Sequence, residues 1–298
     1  MNSASITAVC AHVFQQTGRR NQDTKKACED VYHILESEDL LFYGLADGQS
    51  GALCGAEGGR AALEAVAEDI RRRGIETVLS SPFPDELPCL LMQSIRHRLL
   101  SLSAEKGLPF REFASTLLAI AIHPATGRYL LLHLGDGCAI SVSQDGTTAM
   151  RSRPDNGFSS QYTWLTTADT AVAHLRVSFG SLKNTQRLLL LTDGTRCLCQ
   201  GKNIPRQASA PIVSGTPEEI HQLIRQSSPS DDASCILLDV SSEMSPDPVL
   251  RYPYHTTRST KEDTIMNKLQ ETIYKLQAEE DRDSIACNAQ QLIIELDQ

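Results

Sequence analysis

Short apolar runs, each closed by turn-forming residues, recur along residues 5–240, and helical periods interrupt them at three places. SITAVCAHVF (5–14) reads as a first strand, followed by a polar, basic loop. VYHIL (31–35) and LLFYGLA (40–46), separated by ESED, read as the arms of a hairpin. Antiparallel pairing there puts Glu29 and Asp30, at the start of one arm, on the same edge as Asp47, at the end of the other. Residues 56–73 have a helical face of small apolar side chains (Ala61, Ala62, Val66, Ala67, Ile70). Arg71–Arg73 in the last turn and Gly74 beyond it mark the stop. A second helix is expected over about 85–106, where Leu87, Leu90, Leu91, Ile95, Leu99 and Leu102 form a stripe. Two adjacent amphipathic helices suggest a helical layer over a sheet.

From residue 114 the period shortens. STLLAIAIHPATGRYLLLHLGDGCAISVSQDGTTAM predicts an antiparallel meander, with Asp136 at the break between two strands. Residues 151–170 are polar and show no period. RLLLLTDG (187–194) ends a further strand on Asp193. TPEEIHQLIRQ (216–226) opens with a capping box, Thr216 and Glu219, and has Pro217 at the first helical position. Asp231 and Asp232 stand at the entrance of a last strand, ASCILLDV. The domain implied by these elements spans 1–242. Residues 243–258, proline-containing and aperiodic, read as a linker. Residues 259–298 predict a long helix or helical hairpin, with a seam of Met266, Leu269, Ile273 and Leu276 that resumes at Ile285, Leu292, Ile293 and Leu296. Self-association or a protein partner is expected through this segment.

Composition narrows the choice. A chain of 298 residues, 41% hydrophobic and 22% charged, can build a substantial core. A net charge of −9 argues against a nucleic acid or an anionic membrane as the main partner. The cysteines number nine, without a CxxC pair, and read as buried reduced thiols of a cytoplasmic protein. The first twenty residues lack a basic segment followed by a long apolar one, so no signal peptide is expected. No apolar run reaches membrane-spanning length.

The chemistry concentrates in one device. In LFYGLADGQSG (41–51) an apolar strand ends on Asp47 beside Gly48 and Gly51. A carboxylate held there, with backbone carbonyls close by, suits a hard divalent cation. Alone, this is an ordinary Asp-Gly turn. Acids recur at strand boundaries, however: Asp30 or Asp23, then Asp47, Asp136, Asp193 and Asp231. Gathered at one edge they would repel one another and their pKa values would rise, unless two divalent ions about 4 Å apart removed the conflict.

CED (or NQD), LADGQSG, the Ser115-Thr116 strand leading into HLGDG, LLLLTDG and SDDASCILL occur in the order found in metal-dependent protein serine/threonine phosphatases. Over about residues 10–240 the chain resembles the PP2C-type phosphatases of the bacterial kind. The resemblance implies an α+β fold, a four-layer α-β-β-α sandwich of two antiparallel sheets flanked by helices, to which the C-terminal helical tail is added. It implies two Mn²⁺ or Mg²⁺ ions, with an optional third. Asp47 would bridge both, Gly48 would ligate through its carbonyl, Asp193 and Asp231 would hold one ion, and Asp136 would serve the third. The N-terminal ligand is Asp30 in one register and Asp23 in the other. The first is favoured because it places the acid directly before VYHIL. Arg19 and Arg20 are the phosphate-binding candidates. Gln49 stands where animal members carry histidine, and Gly137-Cys138 replaces the usual Ser-Arg after Asp136. Asp155 and Asp169 lie in a segment short for the family, and His133 reads as a strand residue rather than a ligand. The implied activity is hydrolysis of phosphoserine and phosphothreonine on proteins by di-metal-activated water. The alternative is a catalytically weak regulatory or scaffold protein of the same fold.

Overall fold

Both faces of most central strands are buried, which requires a layer of structure on each side of each sheet. The computed structural model describes residues 6–156, 163–200, 207–208 and 210–242. In chain order its elements are β1 (Ile6–Gln16), α1 (Arg19–Asp23), β2 (Asp30–Glu36), β3 (Leu41–Asp47), α2 (Gly55–Arg73), α3 (Ile75–Leu79) and α4 (Leu87–Lys106). Then follow β4 (Leu117–Ile122), β5 (Arg128–Leu134), β6 (Cys138–Ser143), β7 (Thr148–Ser152), α5 (Ala171–His174), β8 (Arg176–Ser181) and β9 (Thr185–Leu191). A two-residue ribbon, β10 (Cys199–Gln200) and β11 (Gln207–Ala208), precedes α6 (Ala210–Ser214), α7 (Pro217–Ser227) and β12 (Ala233–Ser242). One five-stranded sheet has the order β2-β3-β4-β5-β8 and the other β1-β12-β9-β6-β7. Every pairing in both is antiparallel.

Strand alternation distributes the side chains among three apolar layers. Phe42, Leu117, Ala119, Leu130 and Leu132 face α2 and α4, meeting Ala62, Val66, Ile70, Leu91, Ile95 and Leu99. Tyr43, Leu45, Leu118, Ile120 and Leu131 point the other way, onto Leu188, Leu190, Ile236 and Leu238 of the second sheet. The outer face of that sheet, with Leu189, Leu191, Cys235 and Leu237, is covered by Ile220 and Ile224 of α7. Each fully buried leucine or isoleucine contributes about 1.5–3 kcal/mol, so the alternating register is strongly specified: a one-residue slip would exchange two layers. The predicted capping box of α7 is present, Thr216 accepting from the Glu219 N–H and Glu219 from the Thr216 N–H.

Several sequence expectations change. The stretch after residue 114 is not one meander: β4 and β5 belong to the first sheet, β6 and β7 to the second. Asp136 therefore sits where the chain crosses between sheets. The second long helix begins at Leu87, after a single 3-10 turn over Pro84–Glu86. Of the named elements, the aperiodic stretch 151–170 holds only the end of β7; α5 and β8 follow it, and their mostly half-buried residues carry no clean alternation. Cys10 and Cys89 are exposed, not buried. The linker and the helical segment at 259–298 lie outside the described residues. No helix among the described residues is long and apolar enough to cross a membrane.

Candidate metal centre

The hairpin sets the first pair of acids. Register places Asp30 opposite Asp47 across β2 and β3. The Asp47 backbone is pinned on the other side, its N–H donating to Thr116 Oγ1 and its carbonyl accepting from the Thr116 N–H, both at 2.9 Å. The Gly48 N–H donates to the Glu29 carbonyl at 3.2 Å. A Cβ at Gly48 would lie 2.6 Å from the Ala56 nitrogen and 2.9 Å from the Glu29 oxygen, so only glycine lets this turn approach the start of α2.

Asp30 is buried, and its Oδ2 accepts from the Thr192 hydroxyl at 2.9 Å. Thr192 is itself gripped by β12, donating its N–H to the Ser234 carbonyl (3.0 Å) and accepting the Ser234 N–H at Oγ1 (2.8 Å). The exit of the second sheet is thereby tied to the entrance of the first. Asp30 Oδ1 is buried without a hydrogen-bond partner. Burial pushes the Asp30 carboxyl from its ordinary 3.8 up to about 7, against the Ser234 and Thr192 hydroxyls, and the charges of Asp232 and Asp193 add to the rise. Asp47 is pushed well above the usual carboxylate range, by burial first and then by Asp30, Asp193, Asp136 and Asp231.

Four further acids, from four other places in the chain, thus bear on Asp47. Asp193 opens the 3-10 segment Asp193–Leu198 directly after β9. A Cβ at the next position, Gly194, would overlap the Asp232 carbonyl oxygen, so this segment packs flush on the start of β12. Asp136 lies in the crossing between β5 and β6, and its Oδ2 accepts from the Thr163 hydroxyl at 2.9 Å. Asp231 precedes β12, and its Oδ2 accepts from Arg20 Nη1 at 3.1 Å. Among the described residues, no three or more His, Cys, Asp or Glu side chains are close enough together to hold an ion. The donor set is nonetheless all oxygen, and acids that raise one another's pKa fit a hard divalent cation rather than a thiophilic one.

The remaining sequence candidates are placed as follows. Asp23 is exposed at the end of α1, away from the Asp30–Asp47 pair. Arg19 is exposed, and both Arg19 and Arg20 are fixed by their N–H groups to the carbonyls of Pro229 and Ser230, at 3.0 and 3.1 Å. The Gln49 side chain is exposed while its N–H donates to the Ala114 carbonyl. The Asp155 N–H donates to the Gly135 carbonyl at 2.9 Å, and Asp169 is exposed. His133 is buried on β5, its Nδ1 2.7 Å from both Arg176 Nη2 and Ser152 Oγ. Burial and then the Arg176 charge hold it well below the usual imidazole range, so it is neutral. Sequence reasoning missed the hydroxyls Thr116, Thr163 and Thr192, and the distinct environment of Asp232. For Thr192 adjacency to Asp193 was the available signal, and Thr116 stood in the Ser115-Thr116 piece without a role; Thr163 carried none.

No curated protein matches the chain by sequence. The family model described as protein phosphatase 2C matches residues 17–228. Among solved structures, the chain is similar to the serine/threonine phosphatase Stp1 from Staphylococcus aureus, with a TM-score of 0.60 and 13% identity over 81% of this chain and 98% of that one. The serine/threonine phosphatase of S. agalactiae gives a TM-score of 0.59 at 13% identity, over 78% of this chain and 100% of that one. PppA of Pseudomonas aeruginosa, a key regulatory component of T6SS, gives 0.53 at 16% identity, over 80% and 100%. At these identities the structural likeness concerns the fold.

Proposed function

The chain belongs to the protein phosphatase 2C family, and from that premise we propose that it hydrolyses phosphoserine and phosphothreonine on proteins, using water activated by two Mn²⁺ or Mg²⁺ ions. The observation that carries this reading is the β2–β3 register that sets Asp30 opposite Asp47, where burial first, and then the charges of Asp30, Asp193, Asp136 and Asp231, push Asp47 above the usual carboxylate range. Mutual repulsion of that kind is relieved by protonation or by a bound cation, and only the cation leaves the carboxylates charged. Asp47 would bridge the two ions, with the Gly48 carbonyl beside it. Asp193 and Asp231 would hold one ion, and Asp136 an optional third. We assign the N-terminal ligand to Asp30, buried opposite Asp47, in preference to the exposed Asp23.

Bound ions of this type supply a nucleophile from water near neutral pH and neutralise charge on the phosphoryl oxygens. The protein's own residues orient the substrate. Arg20, 3.1 Å from Asp231 and more than half exposed, presents a planar fork to a phosphate entering at the same edge. Arg19 adds positive charge one residue earlier. The Gln49 amide has no titratable proton, so the departing serine or threonine oxygen takes its proton from water or from another residue. The described cysteines form no disulfide, which suits the reducing cytoplasm.

A catalytically weak scaffold of the same fold is the competing reading, favoured by the protein contacts that occupy Asp136 and Asp231. One assay separates them: hydrolysis of p-nitrophenyl phosphate and a phosphothreonine peptide with Mn²⁺, with EDTA, and in Asp193→Asn. Turnover that needs Mn²⁺ and collapses in the variant is expected. Absent or metal-independent turnover would overturn the phosphatase reading.

A further inference from the structure

Two neighbouring aspartates, Asp231 and Asp232, face opposite tasks. Asp232 is almost fully buried and collects three N–H donors. Its Oδ1 accepts from the Gly18 N–H at 2.7 Å. Its Oδ2 accepts from Asn21 Nδ2 at 2.8 Å and from the Glu29 N–H. Both oxygens are therefore committed to the two ends and the middle of the loop that carries Arg19 and Arg20 and leads into Asp30. The carbonyls of Pro229 and Ser230 hold the Arg19 and Arg20 N–H groups beside it. Residues 229–232 thus form a strip onto which the whole 18–29 loop is fastened. Asp231, by contrast, is half-buried and turns one oxygen to Arg20.

We propose that Asp232 is a positioning residue and not a cation ligand: it locks the phosphate-binding loop and Asp30 onto the strand that carries Asp231. The inference rests on the phosphatase reading for its catalytic consequence and on the hydrogen bonds alone for its mechanics. A buried carboxylate that accepts three N–H groups is charge-assisted at each of them. Those donors fill three of a carboxylate's roughly four acceptor sites, so the loop and not an ion takes most of what Asp232 offers. Because one carboxylate spans both the Gly18 and the Glu29 ends, its loss frees the loop with Arg20 right up to Asp30, which itself stays on the β2–β3 ladder.

The test uses the full chain and the variants Asp232→Ala, Asp232→Asn, Asn21→Ala and the Asn21→Ala/Asp232→Ala double. Hydrogen exchange of residues 17–30 is measured without metal or substrate. Mn²⁺ stoichiometry is measured by calorimetry, and inorganic phosphate serves as a competitive inhibitor of p-nitrophenyl phosphate hydrolysis. In Asp232→Ala, exchange at 17–30 accelerates by about tenfold or more, and KM and the phosphate Ki rise about tenfold. The number of Mn²⁺ ions bound stays at the wild-type value. Asp232→Asn, which keeps one acceptor oxygen, falls between wild type and alanine. The double variant costs less than the sum of the two singles, because both lose the Asn21–Asp232 contact.

Loss of a Mn²⁺ equivalent in Asp232→Ala would make it a ligand and overturn the proposal. So would unchanged exchange at 17–30, or a lowered melting temperature with KM and Ki unmoved. Wild-type protein that hydrolyses nothing with Mn²⁺ would remove the phosphatase reading alone, since the exchange result is read without turnover.

Discussion

The carboxylate-bearing end of the sandwich has two unlike halves. On the hairpin side, Asp30 and Asp47 face each other through the β2–β3 ladder, and Thr116 and Thr192 clamp them from the neighbouring strands. On the crossing side, Asp136 leaves the first sheet before β6 joins the second, and the Thr163 hydroxyl and the Asp155–Gly135 backbone bond hold the segment. A ladder fixes backbone position whatever the side chains cost, so the acids it presents cannot move apart and burial raises their pKa. A crossing held by side-chain hydrogen bonds can shift to suit its occupant. The hairpin half is thus built for a permanent charge cluster, the crossing half for adjustment.

The sharpest way to break this contrast is Asp47→Asn. We expect kcat/KM with Mn²⁺ to fall about a thousandfold or more, roughly 4 kcal/mol of transition-state stabilisation. In EDTA the same variant should be more resistant to urea than wild type, because a half-buried carboxylate repelled by four others is gone. Retained activity, or a lower urea midpoint in EDTA, would show that Asp47 is an ordinary turn residue.

A pH series sharpens the same half. Asp30 has a folded-state pKa raised from 3.8 to about 7. Between those values the folded cation-free protein binds a proton that the unfolded chain has lost. This stabilising contribution is complete below about pH 4 and disappears as pH rises through about 7. The gap corresponds to at most about 4 kcal/mol. In EDTA, Asp30→Asn should match the wild-type urea midpoint near pH 4 and exceed it by pH 8, with Asn still accepting from Thr192. Parallel stability curves for the two proteins would remove Asp30 from the repelling cluster.

The same contrast explains what could be read from residues alone. The hairpin half was legible because alternation, turn residues and a terminal acid all lie within residues 29–51, so register follows from local pattern. The long helices showed for the same reason, their stripes being continuous. Sheet membership of β6 was not legible: a strand–Gly-Asp-Gly–strand pattern is the same whether the chain turns back or crosses over. β8 was hidden because its six residues are all half-buried, which erases the two-residue period. Asp232 looked like a second acid at a strand entrance. Only its three N–H partners, all more than two hundred residues away, distinguish it from Asp231.

The smallest expected effect tests the adjustable half. Thr163→Val removes the hydroxyl that donates to Asp136 Oδ2 and preserves the side-chain volume. Both groups are only half-buried, so water replaces the lost donor and stability should drop by about 1 kcal/mol or less. Because the hydroxyl competes with any cation for that oxygen, the Mn²⁺ concentration giving half-maximal activity should fall slightly, about twofold, with kcat changed less than about fivefold. A tenfold or larger loss of kcat/KM would mean that Thr163 holds Asp136 as firmly as the ladder holds Asp47. The crossing would then belong to the rigid half of the centre, and adjustability would have to be sought in the 18–29 loop, where Asp232 is the fastening.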